Sequence, residues 1–414
     1  MTYLALLRHE WRLLIFGLSL TCLSGFGQTF FIALFGNDIR AAFDLSHAAF
    51  GSLYAIATCA SAISIIWLGK LIDQIDLRLY SAMICIGMVI ACFALGSAQS
   101  IPALCFAFYL IRLTGQGLMG HTSSTSVARY LADNRGKAVG FSAMGHQLSE
   151  VILPVPAVLL IAEIGWRNSW YSFGAVVLVL VLPWILWLLK GHHIRHDLYV
   201  ESLKQENDEA HPQHSKQKSW TRKEVLKDWR FYTLLPAVTS PAAICTGIFF
   251  HQAVLVDSKG WDVAMFAVSF TAFAIAGFIS AMIFGALVDR YGSLKLLPTY
   301  LLPMAAGLLM LALFDHPMIA FIFMIGFGLS GGAAATIFGA LWPELYGSKY
   351  LGAIRSKLMA IMVLMSASTP PVVGYIIDKG VPFEHIALGF IVYIFVGIAS
   401  LLTSLSSFKK QTGQ

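Results

Sequence analysis

The sequence predicts an all-α membrane protein with twelve transmembrane helices in two six-helix halves, and two observations carry this prediction. Hydrophobic residues make up 57% of the 414 residues and charged residues only 12%, about half the charged share of a soluble domain. The apolar stretches are roughly 20 residues long, which is what a helix needs to cross a bilayer core. Segments such as 175–189 are apolar on every face, so helices are favoured over the alternating strands of a barrel.

Twelve apolar runs separated by polar breaks are the predicted spans. Their approximate bounds are 13–35, 48–69, 79–98, 101–123, 138–161, 169–189, 231–255, 262–286, 294–314, 317–341, 352–377 and 385–405. The first run lacks a small-residue cleavage pattern, so we expect it to be a retained span. The predicted domains are an N-terminal bundle (1–189), a polar cytoplasmic linker (190–230) and a C-terminal bundle with a short tail (231–414).

The basic residues predict the orientation. With the N-terminus inside, the outward loops hold four of the 28 basic residues. Arg112 lies within a span, and the other 23 fall on the cytoplasmic side. By the positive-inside rule, both termini are expected in the cytoplasm, most simply at a bacterial inner membrane.

Several function classes lack their sequence signals. The chain has no G-x-x-x-x-G-K-[ST] loop, so it supplies no ATP-driven step. Outside the polar linker, no acid or histidine cluster suited to an enzyme lies at a membrane face, and no nucleic-acid partner is indicated. The six cysteines lie inside apolar runs without metal-ligand spacing, so neither a metal nor a cofactor is expected.

An internal repeat follows the second span of each half. The first copy runs from Gly69 through Asp73 to Arg78, and the second runs from Gly285 through Asp289 to Lys295. The spacing is consistent with duplication of a six-helix unit.

This G-x-L-x-D-R-x-G-x-x-[KR] loop, present in both halves, resembles the signature loop of the major facilitator superfamily. The first copy has Gln74 and Asp76 where the family has a basic residue and a glycine. The resemblance covers essentially the whole chain. It implies two six-helix bundles around a central cavity that work by alternating access.

Two further motifs extend the resemblance. Arg112-Leu-Thr-Gly115-Gln116-Gly117 resembles the arginine and glycine motif of the fourth span, and 130–145 is similar to the monocarboxylate-transporter pattern that enters the fifth. The charged pair that those transporters carry in the eighth span is absent here. The glycine-proline motif of drug/proton exchangers is also absent, since His146 follows Gly145.

Polar residues at membrane depth are the candidate site. Placing an ionisable group within the membrane costs free energy, so each such group is a candidate for a functional role. Arg112 and Glu150 are the two charges clearly within spans, on consecutive antiparallel helices, and His146 lies on the same helix face as Glu150. Proton coupling or substrate binding is one interpretation. A static buried ion pair and a packing histidine are the alternatives.

Three further residues are candidates for lining the cavity that the resemblance implies. Gln28 lies in the first span, and His251 and Gln252 lie near the outer end of the seventh. An interfacial position without a ligand is the alternative.

A conformational latch is expected at the cytoplasmic face. Asp73 is predicted to pair with Arg129 or Arg135. Asp289 and Arg290 are predicted to contact Glu344. Such contacts would hold the outward-open state.

The leading hypothesis is secondary active transport of a small organic solute, with an organic anion and proton symport favoured. Protons, membrane lipid and the solute are the expected partners, and a monomer is expected. The alternatives are a proton-driven drug exporter of the same fold and a transporter-like membrane sensor. The sequence leaves the substrate, the direction of transport and the stoichiometry open.

Overall fold

A computed structural model describes residues 3–131, 134–196, 220–347 and 351–412, and every regular element within them is a helix. The helices of the first half are α1 (Tyr3–Leu23), α2 (Thr29–Ile32), α3 (Gly36–Phe43), α4 (His47–Leu68), α5 (Leu77–Ser97), α6 (Ile101–Ile111), α7 (Gly120–Tyr130), α8 (Arg135–Ile152), α9 (Pro154–Val176) and α10 (Leu182–Leu188). Those of the second half are α11 (Arg222–Lys227), α12 (Trp229–Phe250), α13 (Gln252–Lys259), α14 (Val263–Tyr291), α15 (Ser293–Leu296), α16 (Leu302–Leu313), α17 (Met318–Tyr346), α18 (Leu351–Asp378) and α19 (Phe383–Thr412).

The described helices account for the twelve predicted spans. Nine are long and apolar enough to cross a membrane, and a pair bent by 45° at residues 27–29 makes a tenth. One of the nine, Gly136–Leu188, breaks at Gly165, whose φ of 76° a helix cannot hold, so it contains predicted spans five and six. The short helix α16 lies within predicted span nine.

The outward-facing surfaces are apolar. Trp67, Val179, Met282 and Val392 are each more than 60% exposed, although they lie within segments long and apolar enough to cross a membrane. Water would penalise such a surface, whereas lipid chains solvate it. We refer to the helix ends that the basic residues assign to the non-cytoplasmic side as the outer ends.

The chain forms two compact units. The first contains the described residues up to Phe43 and those from Ile56 through residue 196. The second contains the described residues from Trp220 onward together with Asp44–Ala55. The outer turns of α4 therefore pack with the C-terminal helices, while the remainder of α4 packs with the N-terminal ones.

Glycine sets the closest helix contact of the second unit. A Cβ on Gly332 of α17 would lie 2.0 Å from the carbonyl oxygen of Gly277 on α14. Any larger residue would push the two backbones apart. Gly332 therefore serves the close packing of α17 on α14.

Candidate functional site

The first span is broken at membrane depth. Helix α1 ends at Leu23, a 3-10 turn covers Ser24–Gly27, and Gln28 is extended with φ −82° and ψ 154°. Gly27 lets the broken segment approach the fourth span closely, because a Cβ on Gly27 would lie 2.5 Å from the carbonyl oxygen of Ile111. Broken helices of this kind expose backbone polar groups that can serve ligand sites in transporters.

Arg112 lies directly against this break. It begins a π-helical stretch, Arg112–Met119, that interrupts the fourth span. Its side chain is buried, with 2% of the residue exposed, and its Nη1 donates to the carbonyl oxygen of Gly27 at 2.8 Å. A π-helical turn in a span is often associated with a functional site. The structure therefore brings a buried guanidinium to the helix break that contains Gln28.

Glu150 and His146 form a second polar pair, on α8. Glu150 Oε1 lies 3.6 Å from His146 Nδ1, with the carboxylate side chain 9% exposed and the imidazole 43% exposed. The i, i+4 spacing puts both on one helix face. At this distance the two attract strongly when His146 is protonated and Glu150 is ionised. The pair thus joins a buried carboxylate to a more accessible imidazole.

The acid is held close to the broken span. A Cβ on Gly25 would lie 2.6 Å from Cβ of Ser149, the residue before Glu150. Arg112 and Glu150 thus both lie on helices that contact residues 24–28. The contacts described above link Arg112 to Gly27 and Glu150 to His146, so a direct Arg112–Glu150 ion pair stays a prediction.

The candidates in the second half lie at the junction of α12 and α13. His251 and Gln252 are 3% and 2% exposed. Nε2 of His251 lies 2.9 Å from the carbonyl oxygen of Pro370 on α18. The structure therefore places His251 in a helix contact, and a ligand role for either residue stays a prediction.

That contact belongs to a larger cluster at the outer ends, which we call the outer dock. The carboxylate of Asp378 accepts hydrogen bonds from the backbone N–H groups of His47 (3.0 Å) and Ala48 (2.8 Å), the first residues of α4. The His47 and His251 rings lie 5.8 Å apart. The outer dock comprises His47, Ala48, Phe50, Gly51, Phe250, His251, Pro370, Gly374 and Asp378.

Apolar and backbone contacts complete the outer dock. Phe50 stacks on Phe250, with ring centroids 4.8 Å apart. A Cβ on Gly51 would lie 2.6 Å from the carbonyl carbon of Pro370, and one on Gly374 would lie 2.5 Å from that of His47. Helices α4 and α18 thus touch along their backbones. All of these residues belong to the second unit.

One residue pair named in the predicted latch is in contact, while its role as a latch stays a prediction. Asp73 and Arg129 form an ion pair, and Nη1 of Arg129 also donates to the carbonyl oxygen of Ile72 at 3.1 Å. The side chain of Arg135 lies outside the part of the chain that the structure describes. The expected pairing of Asp73 with Arg129 is therefore seen.

In the other half, Glu344 contacts the start of α15, and its predicted contact with Asp289 or Arg290 stays a prediction. Glu344 accepts hydrogen bonds from the backbone N–H of Ser293, at 3.1 Å, and from its hydroxyl. Arg290 lies over the ring of Tyr291, and Asp289 is exposed. A carboxylate at the start of α15 satisfies an otherwise unpaired N–H there. Glu344 thus does contact the second loop copy, through Ser293.

An ion cluster that we did not predict from the sequence lies at the outer face of the second unit. The Lys259 side chain is 1% exposed, and its Nζ lies 2.5 Å from Asp315 and 2.7 Å from Glu384. Burial favours the neutral amine, but the hydrogen bonds to the two carboxylates outweigh it and raise the pKa of Lys259 above its ordinary value. The cluster ties together α13, the loop before α17 and the start of α19.

The family comparison agrees with this architecture. A family model described as the Major Facilitator Superfamily matches residues 17–357. The chain therefore belongs to the Major Facilitator Superfamily, a family of membrane transport proteins, and is an integral membrane protein.

Two curated relatives match parts of the chain. The oxalate:formate antiporter of Oxalobacter formigenes is 25% identical over 187 residues, which are 44% of this chain and 43% of that protein. An uncharacterized 38 kDa protein in the 23S RNA operon of Thermoproteus tenax is 25% identical over 281 residues, 67% of this chain and 65% of that protein. The chain thus spans less than two thirds of the length of either relative.

Solved structures share the fold over nearly the whole chain. A bacterial homolog of the human lysosomal transporter Spinster, in its inward-facing and occupied conformation, has a TM-score of 0.72 and 15% identity over 97% of this chain and 98% of that chain. The nucleoside transporter NupG has a TM-score of 0.66 and 14% identity over 95% and 99%. At these identities the likeness shows the fold alone.

Proposed function

We propose that this protein is a secondary active transporter that carries a small organic anion together with protons by alternating access. The observation that carries the proposal is the buried Glu150 paired with the half-exposed His146 at membrane depth. In this proposal it works as a monomer in a bacterial inner membrane, with both termini in the cytoplasm.

Proton coupling follows from the cost of a buried charge. An ionised carboxylate taken out of water loses several kcal/mol of solvation unless it is compensated, so Glu150 is expected to gain or lose its proton as its surroundings change. His146, 43% exposed and one helical turn away, is placed to pass that proton to water. An acid that is protonated in one conformation and ionised in the other couples proton flow to the conformational change.

An anionic substrate follows from Arg112. The hydrogen bond to Gly27 leaves the guanidinium positively charged beside a break in the first span. Arginine is well suited to carboxylate recognition because its planar N–H groups bind both oxygens. The partial similarity to the oxalate:formate antiporter, whose named substrates are small carboxylates, supports the same class.

The test is uptake into proteoliposomes with an imposed pH gradient. Labelled mono- and dicarboxylates are screened with wild type, with Glu150→Gln and with the matched control Glu163→Gln. Glu163 is an exposed acid near the predicted outer end of the fifth span. Wild type and the control should accumulate at least one organic anion when protons flow inward, and Glu150→Gln should not.

Three outcomes would overturn the proposal. Uptake that ignores the gradient and survives Glu150→Gln removes proton coupling. Gradient-driven efflux of hydrophobic cations, without anion uptake, identifies a drug exporter. No flux of any solute by a folded protein favours a sensor.

A further inference from the structure

A groove runs along the outer half of the second unit between α18 and α19. The two helices each pack along α12 and hardly touch one another. The space between them is a cavity of about 390 Å³ with α12 as its floor. Its main lining residues are Thr369, Val373, Ile376, Ile386, Phe390 and Tyr393.

The groove opens sideways, toward the bilayer. Both walls belong to membrane-crossing segments, Lys357–Asp378 and Phe383–Phe408. Val372, in the α18 wall, is 57% exposed. On α19, Leu388 and Val392, which precede the lining residues Gly389 and Tyr393 in the sequence, are 41% and 62% exposed. A lateral opening within an apolar surface of this kind faces lipid chains rather than water.

The groove has the depth of one leaflet. From His385 at its mouth to Tyr393 at its inner end is eight residues of α19, or about 12 Å of helix. One leaflet contributes about half of the roughly 30 Å hydrocarbon core.

Its lining suits a hydrocarbon chain. The Thr369 hydroxyl donates to the carbonyl oxygen of Met365 at 2.8 Å, and the Tyr393 hydroxyl lies 3.2 Å from that of Thr239. Both hydroxyls therefore have hydrogen-bond partners within the protein. The carbon atoms of Thr369 and Tyr393 form the surface that lines the groove. The remaining side chains of the lining are mostly aliphatic or aromatic.

The mouth is basic. His385 lines it, and Lys379 lies in the adjoining turn, over the ring of Tyr375. The neighbouring acids are engaged elsewhere, Asp378 with the start of α4 and Glu384 with Lys259. Lys379 and His385 are therefore the side chains at the mouth that can meet an anionic group.

We propose that this groove is a binding site for a phospholipid of the outer leaflet, with one acyl chain between α18 and α19 and the phosphodiester beside His385 and Lys379. The site lies behind the outer dock. Pro370, Gly374 and Asp378, spaced four residues apart, contact α4 from one face of α18, while Thr369, Val372 and Ile376 line the groove on the opposite face. A bound chain would support α18 where it holds α4.

The test uses a phospholipid with a diazirine on one acyl chain, in nanodiscs, with crosslinked residues mapped by mass spectrometry. Gly389→Trp and Val372→Trp each fill the groove from one wall. A Cβ on Gly389 would meet nothing within 4 Å. Gly140→Trp is the matched control, because Gly140 is also exposed in a membrane-crossing segment with open space around it.

Wild type and the control should crosslink preferentially to α18 and α19 at the groove, and both filling variants should lose that labelling severalfold. Equal labelling in wild type and the filling variants would overturn the proposal, as would labelling spread evenly over all exposed helices. If one filling variant fails to elute as a folded protein, the other decides between these outcomes.

Discussion

The carboxylate of Asp378 caps the helix that begins at His47. These residues are 331 positions apart, yet both oxygens of Asp378 accept backbone N–H groups at the first turn of α4. A carboxylate there satisfies orphan donors and complements the positive end of the helix dipole. The contact joins the end of α18 to the start of α4 at the predicted outer face.

Replacing Asp378 with Asn should loosen the first turn of α4. Asparagine keeps only one acceptor oxygen, so one of the two hydrogen bonds is lost and the other loses its charge, at a cost of about 1–2 kcal/mol. Hydrogen exchange measured by mass spectrometry should show faster exchange in the peptide that covers residues 44–50. Glu163→Gln, which neutralises an exposed acid near the predicted outer end of the fifth span, is the control and should exchange like wild type in this peptide. Unchanged exchange in Asp378→Asn would show that the cap contributes nothing to holding α4.

Gly374→Ala should force α4 away from α18. The new methyl carbon would lie 2.5 Å from the backbone carbon of His47, a distance that real Cβ atoms do not tolerate, so one helix must move. The same peptide should exchange faster, and solute uptake should fall severalfold because the outer dock can no longer close fully. Gly140→Ala adds the same methyl group where nothing lies within 4 Å, and should leave both readouts unchanged. Wild-type exchange and uptake in Gly374→Ala would contradict the packing described for the outer dock.

Arg112 should be required for anion binding. Arg112→Gln removes the charge, and Arg112→Lys keeps it without the planar fork. We expect the concentration of substrate that half-saturates uptake to rise more than tenfold in Arg112→Gln and less in Arg112→Lys. The substrate-induced rise in Tm should fall in the same order. Equal loss in both variants, with a lowered Tm before substrate is added, would instead indicate that Arg112 only fastens the helix break at Gly27.

Lys259→Met should destabilise the second unit by about 1–2 kcal/mol, a value reduced because Asp315 is largely exposed. The pKa of Lys259 is raised in the folded state. The stability that this lysine contributes is therefore complete below the unfolded pKa of about 10.4, and it is lost as the pH rises through the folded pKa. The Tm difference between wild type and Lys259→Met should therefore be constant near neutral pH and shrink only at strongly alkaline pH. A difference that vanishes near pH 7 would contradict the ion cluster.

Local relationships could be predicted from the sequence, and long-range ones could not. The spans follow from apolar runs, and the His146–Glu150 pair follows from i, i+4 spacing, because both depend on neighbours along one helix. The Asp73–Arg129 pair could be predicted because the signature loop indicates where in the fold Asp73 lies. Such loop positions are good to about one helical turn, and the hydrogen bonds shown for Glu344 are with Ser293, in the same loop copy.

The outer dock illustrates what the sequence does not contain. In the sequence, Asp378 is the polar end of one span and His47 is the beginning of another. No local pattern indicates that the two residues are in contact. The break in the first span is similar. Gly25 and Gly27 permit it, but the extended Gln28 and the bond from Arg112 depend on how the fourth span packs. Both features require the tertiary fold.

The most direct test of Glu150 as the proton-coupling group separates exchange from net transport. Proteoliposomes are loaded with the anion identified by the uptake screen, and labelled anion is then followed either as counterflow without a pH gradient or as net uptake driven by one. Glutamine stays permanently neutral, as a protonated glutamate is, so Glu150→Gln should retain counterflow and lose proton-driven uptake, while Glu163→Gln retains both. Proton-driven uptake at the wild-type rate in Glu150→Gln would contradict the account.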